Sequence, residues 1–66
     1  MTFRVGQRVD VHDPLGYSGT GVIEEIQLRP HEAVLVRMET ITDRIDQSVV
    51  GRSVWVLTGH VSPAQR

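Results

Sequence analysis

The five residues Arg8-Val9-Asp10-Val11-His12 alternate between polar and apolar side chains without a break. A period of two places successive side chains on opposite faces of an extended strand. Val9 and Val11 are therefore predicted to face a core. Asp13-Pro14 ends the pattern, because proline lacks the backbone N–H that a sheet ladder needs. The stretch thus predicts a half-buried β-strand near the start of the chain.

Four further segments predict short strands, at 22–26, 33–38, 54–57 and 61–62. The nine residues 13–21 hold one proline and three glycines and predict a loop. The segment 22–26 departs from alternation, which predicts a bulge or strong twist of the kind that closes small barrels. Thr58-Gly59-His60 predicts a tight turn of the 3₁₀ type.

The composition agrees with an all-β fold, because Val, Ile and Thr supply 20 of the 66 residues. Their stiff, branched side chains pack well on a pleated sheet. The length fits one domain, residues 1–66, with a small core. The sequence therefore predicts a single, small, five-stranded closed barrel.

The segment Glu39 to Gly51 permits two predictions. Ile41, Ile45 and Val49 recur every four residues, which would place them on one face of a short helix. The alternative is a long irregular loop whose apolar side chains reach into the end of the barrel. A loop of this length is uncommon unless it serves a function.

Charge and cysteine content narrow the classes of function. Eight acidic residues stand against seven arginines and no lysine, for a net charge of −1, whereas dedicated nucleic-acid binders usually carry a positive excess. The absence of cysteine excludes disulfides and thiolate metal sites. No apolar run is long enough to span a membrane, so a cytoplasmic protein is expected. A chain this small often gains stability by self-association.

The order of these segments resembles the SH3-like barrel group, which includes KOW and Tudor-like modules and small bacterial or phage barrels. The resemblance covers nearly the whole chain and lies in residues 5–9, 19–23, 33–37, 54–57 and 61–63. It implies a binding role toward nucleic acid or protein without choosing between them, because the shared motifs report turns and bulges.

One member of this architecture is an enzyme, the type II dihydrofolate reductase. It is a tetramer around one shared pore, and a Val-Gln-Ile-Tyr stretch lines that pore. The corresponding residues here are Val54-Trp55-Val56-Leu57, so both polar residues of that stretch are replaced. The bulky Trp55 would obstruct the shared pore. The resemblance therefore gives little support to a reductase.

The residues themselves predict no enzyme, cofactor or metal site. Glu24 and Glu25 are adjacent on a predicted strand, so period two places them on opposite faces, unable to act as a pair. His12, His31 and His60 lie at a strand end and in turns, without familiar ligand spacing.

The leading hypothesis is a non-enzymatic interaction module that binds a protein partner or associates with itself. If Val54 and Val56 face the core, Trp55 faces outward and is a candidate contact residue; the alternatives are that Trp55 packs against Phe3 or is itself the buried residue. The candidate partner-binding residues are Tyr17, Ile41, Ile45, Val49 and Trp55.

The alternative hypothesis is a nucleic-acid-binding barrel of the KOW or Tudor-like kind. Its candidate contacts are Arg4, Arg8, Arg37 and Arg52, since arginine suits phosphate and stacking contacts. The competing interpretation is a mixed-charge ladder, with Glu24, Glu25 and Glu39 as cross-strand neighbours of these arginines. The sequence favours the ladder.

Overall fold

The computed structural model describes residues 3–12, 18–42 and 50–64. These residues form five β-strands and one short 3₁₀ helix. In chain order they are β1 (Arg8–His12), β2 (Ser18–Gln27), β3 (Ala33–Ile41), β4 (Ser53–Leu57), the 3₁₀ helix Thr58–His60 and β5 (Val61–Pro63). The predicted all-β class, the five strands and the 3₁₀ turn are confirmed.

The strands form one antiparallel sheet in the order β4-β3-β2-β1-β5. β4 and β5 are its two edges, and among the described strands they do not pair with each other. The described sheet is therefore open, and its closure into a barrel stays a prediction.

One face of the sheet forms a single hydrophobic core to which every strand contributes. The alternation predicted for β1 is confirmed, since Val9 and Val11 are buried. The other buried members of the cluster are Ile23, Val34, Val36, Met38, Val56 and Val61, with Phe3, Ile26, Ile41 and Val54 packed against them. The edge strands β4 and β5 thus share one core, so the sheet curls around its apolar face.

β2 begins at Ser18, four residues before the predicted start. Gly19 and Gly21, which predicted a loop, belong to the strand and allow the backbones of β2 and β3 to approach closely. A Cβ atom on Gly21 would lie 2.5 Å from the carbonyl oxygen of Arg37 and 2.6 Å from Val36 Cγ1. A Cβ atom on Gly19 would overlap the carbonyl of Thr40. Glycine composition alone does not separate such a strand from a turn.

The predicted irregularity of β2 is confirmed and is a pair of register shifts against β3. Thr20 pairs with Thr40 but Gly21 pairs with Met38, so Glu39 is an extra residue on β3. A second shift leaves Glu24 as an extra residue on β2. Each insertion bends its strand and redirects a side chain, as β-bulges do.

β3 also runs further than predicted, to Ile41, so residues 39–41 belong to a strand and not to a loop. The extension pairs with the early part of β2, and the Thr40 and Thr20 hydroxyls lie 2.6 Å apart across the strands. Residues 43–49 fall outside the described part of the chain, and with them the choice between helix and loop for Ile45 and Val49. Tyr17 also lies outside it.

We expect Gly21→Ala to lower the free energy of unfolding by about 1–3 kcal/mol or more, because the added methyl group overlaps backbone that cannot easily move. Chemical denaturation of both chains measures the difference. Gly59→Ala is the matched control, since a Cβ atom on Gly59 meets nothing within 4 Å. Equal losses in the two variants would contradict the close approach at Gly21.

We expect Met38→Ala to cost about 2–5 kcal/mol, since Met38 is 0% exposed and its truncation leaves a cavity in the core. Leu57→Ala is the control on the other face of the sheet and should change stability by less than about 0.5 kcal/mol. Thermal and urea unfolding followed by circular dichroism give both values. A large loss in Leu57→Ala would mean that the outer face also has a structural role.

Candidate functional site

Trp55 and Leu57 project from the outer face of β4, away from the core. Val56, between them, is buried, and Val54 packs against the core cluster. Trp55 is 51% exposed and Leu57 is 52% exposed. The predicted outward orientation of Trp55 is therefore confirmed, and its alternative as the buried residue of β4 is wrong.

A third apolar side chain extends this surface onto β3. Leu35 pairs directly with Trp55, and Ala33 pairs with Leu57. Directly paired residues of neighbouring strands share a face of the sheet, with Cβ atoms about 4.5–5.5 Å apart. Leu35, Trp55 and Leu57 therefore form one surface, called here the outer apolar patch.

The outer apolar patch reaches the edge of the sheet, since β4 pairs only with β3 among the described strands. The sequence of β4 is Ser-Val-Trp-Val-Leu and has no charged residue. Proteins usually protect edge strands with charged residues, prolines or bulges, and β4 contains neither a charged residue nor a proline. A large aromatic side chain thus lies on an unprotected edge.

A charged region lies beside the patch on the same outer face. Arg8 and Arg37 flank Val22 in one cross-strand row of β1, β2 and β3. The Arg8 guanidinium donates to the Glu39 carboxylate at 2.7 Å, and Arg37 Nε lies 3.6 Å from the Glu24 carboxylate. At these two arginines the ladder of mixed charge is confirmed.

The two bulges position these carboxylates. Glu24 and Glu39 are the extra residues of β2 and β3. Glu24 contacts Arg37 on the neighbouring β3, and Glu39 reaches across β2 to Arg8 on β1. The Ser53 hydroxyl also donates to Glu24. The register shift at Glu24 makes the predicted opposition of Glu24 and Glu25 wrong, since Glu25 is opposite Leu35 and Glu24 reaches Arg37 on that same face.

The remaining two arginines of the nucleic-acid hypothesis lie outside the strands. Arg4 belongs to the turn before β1, and Arg52 precedes β4, where its carbonyl accepts from the Met38 N–H at 2.9 Å. Arg8, Arg37 and Glu39 line an open depression of about 550 Å³, completed by Met38, Val50 and Gly51. The depression is therefore lined by side chains of both charges.

Of the other predicted contact residues, Ile41 ends β3 and packs against the core. The prediction that apolar side chains of this segment reach inward is confirmed for Ile41 and wrong for Val50, which is 43% exposed. Phe3 also packs against the core cluster, on the face opposite Trp55. Tyr17, Ile45 and Val49 lie outside the described residues.

The three histidines are dispersed: His12 Nε2 lies 3.3 Å from the Ser62 hydroxyl, His31 is exposed in the β2–β3 turn, and His60 is half-buried in the 3₁₀ helix. In residues 3–12, 18–42 and 50–64, no three His, Asp or Glu side chains are placed to hold a metal ion. The described part of the chain also has no helix with the length and apolarity needed to cross a membrane.

Leu35 and Leu57 were not among the contact residues predicted from the sequence. The signal was available for Leu57, since the period of two that turns Trp55 outward also turns out the residue two positions later. For Leu35 it was weaker, because its place beside Trp55 depends on the register between β3 and β4.

Searches against protein families, curated proteins and solved structures find no match to this chain.

Proposed function

We propose that this protein is a non-catalytic interaction module whose contact surface is the outer apolar patch. The observation that carries the proposal is the exposure of Trp55 on an uncharged edge strand, beside Leu57 and Leu35. The strand number, the bulges of β2 and β3 and the 3₁₀ turn before β5 support an SH3-like barrel as the scaffold.

The energetics of the patch favour a protein surface as its ligand. A tryptophan buries roughly 150–250 Å² on contact and presents a rigid ring, so it is enriched among the residues that dominate protein interfaces. Scattered exposed apolar residues need no explanation, but adjacent ones at a sheet edge do. Trp55 and Leu57 are adjacent on one face, whereas Val5 and Leu28 lie in separate turns.

The charge distribution supports a protein partner over nucleic acid. Arg8 and Arg37 are the two arginines that the fold brings into one row, and each contacts a carboxylate. Binding a phosphate there would require breaking an ion pair and bringing the phosphate close to a glutamate. Affinity for nucleic acid depends on the number of phosphates neutralised, so such a row contributes little.

We expect Trp55→Ala to weaken binding to a protein partner, or to a second copy, roughly tenfold or more. The measurement is quantitative capture by the immobilised chain, applied to host extract and separately to the purified chain itself. Val5→Ala is the matched control, because Val5 is 63% exposed but lies in the turn before β1.

Capture that is lost in Trp55→Ala and Leu57→Ala but kept in Val5→Ala supports the proposal. Capture that all three variants retain would place the contact surface elsewhere. Tight binding to DNA or RNA that falls steeply with salt would favour the nucleic-acid hypothesis instead.

A further inference from the structure

The hydrogen-bond pattern of β4 shows which of its backbone groups face the open edge. The Thr58 N–H donates to the Glu32 carbonyl at 3.2 Å, and the Met38 N–H donates to the Arg52 carbonyl at 2.9 Å. Hydrogen-bonded and non-hydrogen-bonded pairs alternate in an antiparallel ladder. With the register between β3 and β4, Val54 and Val56 therefore bond to β3. The N–H and C=O groups of Ser53 and Trp55 and the N–H of Leu57 point away from β3, toward the edge, whereas the Leu57 carbonyl, at the N-cap of the 3₁₀ helix, already accepts the first bond of that helix.

The opposite edge of the sheet, formed by β5, is closed to pairing. The Ala64 N–H donates to the Arg8 carbonyl, so Val61 and Pro63 turn their backbone groups outward. The Val61 N–H already donates to the Thr58 carbonyl, and proline has no N–H. β5 therefore offers no free donor along its outer edge, whereas β4 presents donors and acceptors in alternation.

We infer that two copies of this chain pair through β4 in an antiparallel, two-fold symmetric arrangement centred on Trp55. In this register Trp55 exchanges both backbone hydrogen bonds with Trp55 of the second copy. The Leu57 N–H of each copy donates to the Ser53 carbonyl of the other copy, and the Ser53 N–H donates to the second lone pair of the Leu57 carbonyl. The inference deepens the proposed function and depends on it, since it names the partner of the outer apolar patch.

The edge of β4 is self-complementary in three respects. Its outward backbone groups are symmetric about Trp55, so the two-fold operation brings every donor opposite an acceptor. The strand is uncharged, so no like charges meet across the symmetry axis. A head-to-tail contact of β4 with β5 of another copy would lack donors from β5, which disfavours rings and filaments and leaves the closed dimer.

The pairing also covers the outer apolar patch. Directly opposed residues in a hydrogen-bonded pair have Cα atoms roughly 5.5 Å apart, and their side chains lie on one face. The two Trp55 rings would therefore be cross-strand neighbours, flanked by Leu57 of each copy. Aromatic pairs of this kind add to the stability of a strand pair.

The first test follows amide hydrogen exchange by NMR at low and high protein concentration, with light scattering to give the mass. We expect the Trp55 and Leu57 amides to exchange at least about tenfold more slowly once the chain is dimeric. The Val54 and Val56 amides serve as internal controls, because β3 protects them at both concentrations. A dimer in which the Trp55 amide exchanges as fast as in the monomer overturns the inference.

The second test removes one edge donor without altering the patch. In Ser53→Pro the lost N–H points outward, so the ladder with β3 keeps its bonds. Each dimer loses two symmetric hydrogen bonds, and we expect dissociation to become roughly tenfold to a hundredfold easier by sedimentation. Ser53→Ala is the matched control, since it loses the same hydroxyl contact to Glu24 but keeps the donor.

The outcomes separate this inference from the proposed function. Weaker dimers in Ser53→Pro but not in Ser53→Ala support pairing through the edge. Dimers that resist Ser53→Pro but fail in Trp55→Ala overturn the edge and indicate contact between faces. A chain that stays monomeric at its highest soluble concentration, yet captures another protein through Trp55, overturns the inference and leaves the proposed function standing.

Discussion

The close approach of β2 and β3 at Gly19 and Gly21 is the constraint on which the rest of the structure depends. A Cβ atom at Gly21 would meet the backbone of Arg37, so any larger residue would push the two strands apart. The approach allows β2 to bend while keeping its ladder to β3 and to β1. A small chain needs this bend, because only a curled sheet lets two distant edge strands share one core.

The same bending sets the character of the outer face. The two bulges that accompany it leave Glu24 and Glu39 as extra residues, and both carboxylates turn to arginines. Charged groups therefore pair with each other around Arg8 and Arg37, while Leu35 and Trp55 form an apolar pair whose row ends in the exposed Glu25 on β2. The outer face is divided into a charged region, whose arginines are paired with carboxylates, and the outer apolar patch. The apolar side chains of the patch remain exposed and would gain free energy from burial against a partner.

The two edges of the sheet differ for reasons that are local. β5 follows directly on the 3₁₀ helix, which takes up the Val61 N–H, and Pro63 supplies none. β4 is uncharged and lacks proline, and among the described strands its outer edge is unpaired. In the inferred dimer, pairing therefore takes place at β4 and not at β5. The outer apolar patch borders the open edge, which connects the exposed Trp55 to a specific mode of association.

The sequence by itself determined the strand class and the inward Val9 and Val11, because these follow from the period of two of a half-buried strand. For Trp55 the same period allowed an outward or a buried side chain, and the structure decided for the outward one. The bounds predicted for the start of β2 and the end of β3 were wrong, because glycine and threonine occur both in turns and in closely packed strands. Only the tertiary structure decided that Leu35 lies beside Trp55, that Glu24 and Glu25 share a face, and that β4 is an edge of the sheet formed by the described strands. Each of these depends on register and bulges between strands distant in sequence, and no local pattern specifies them.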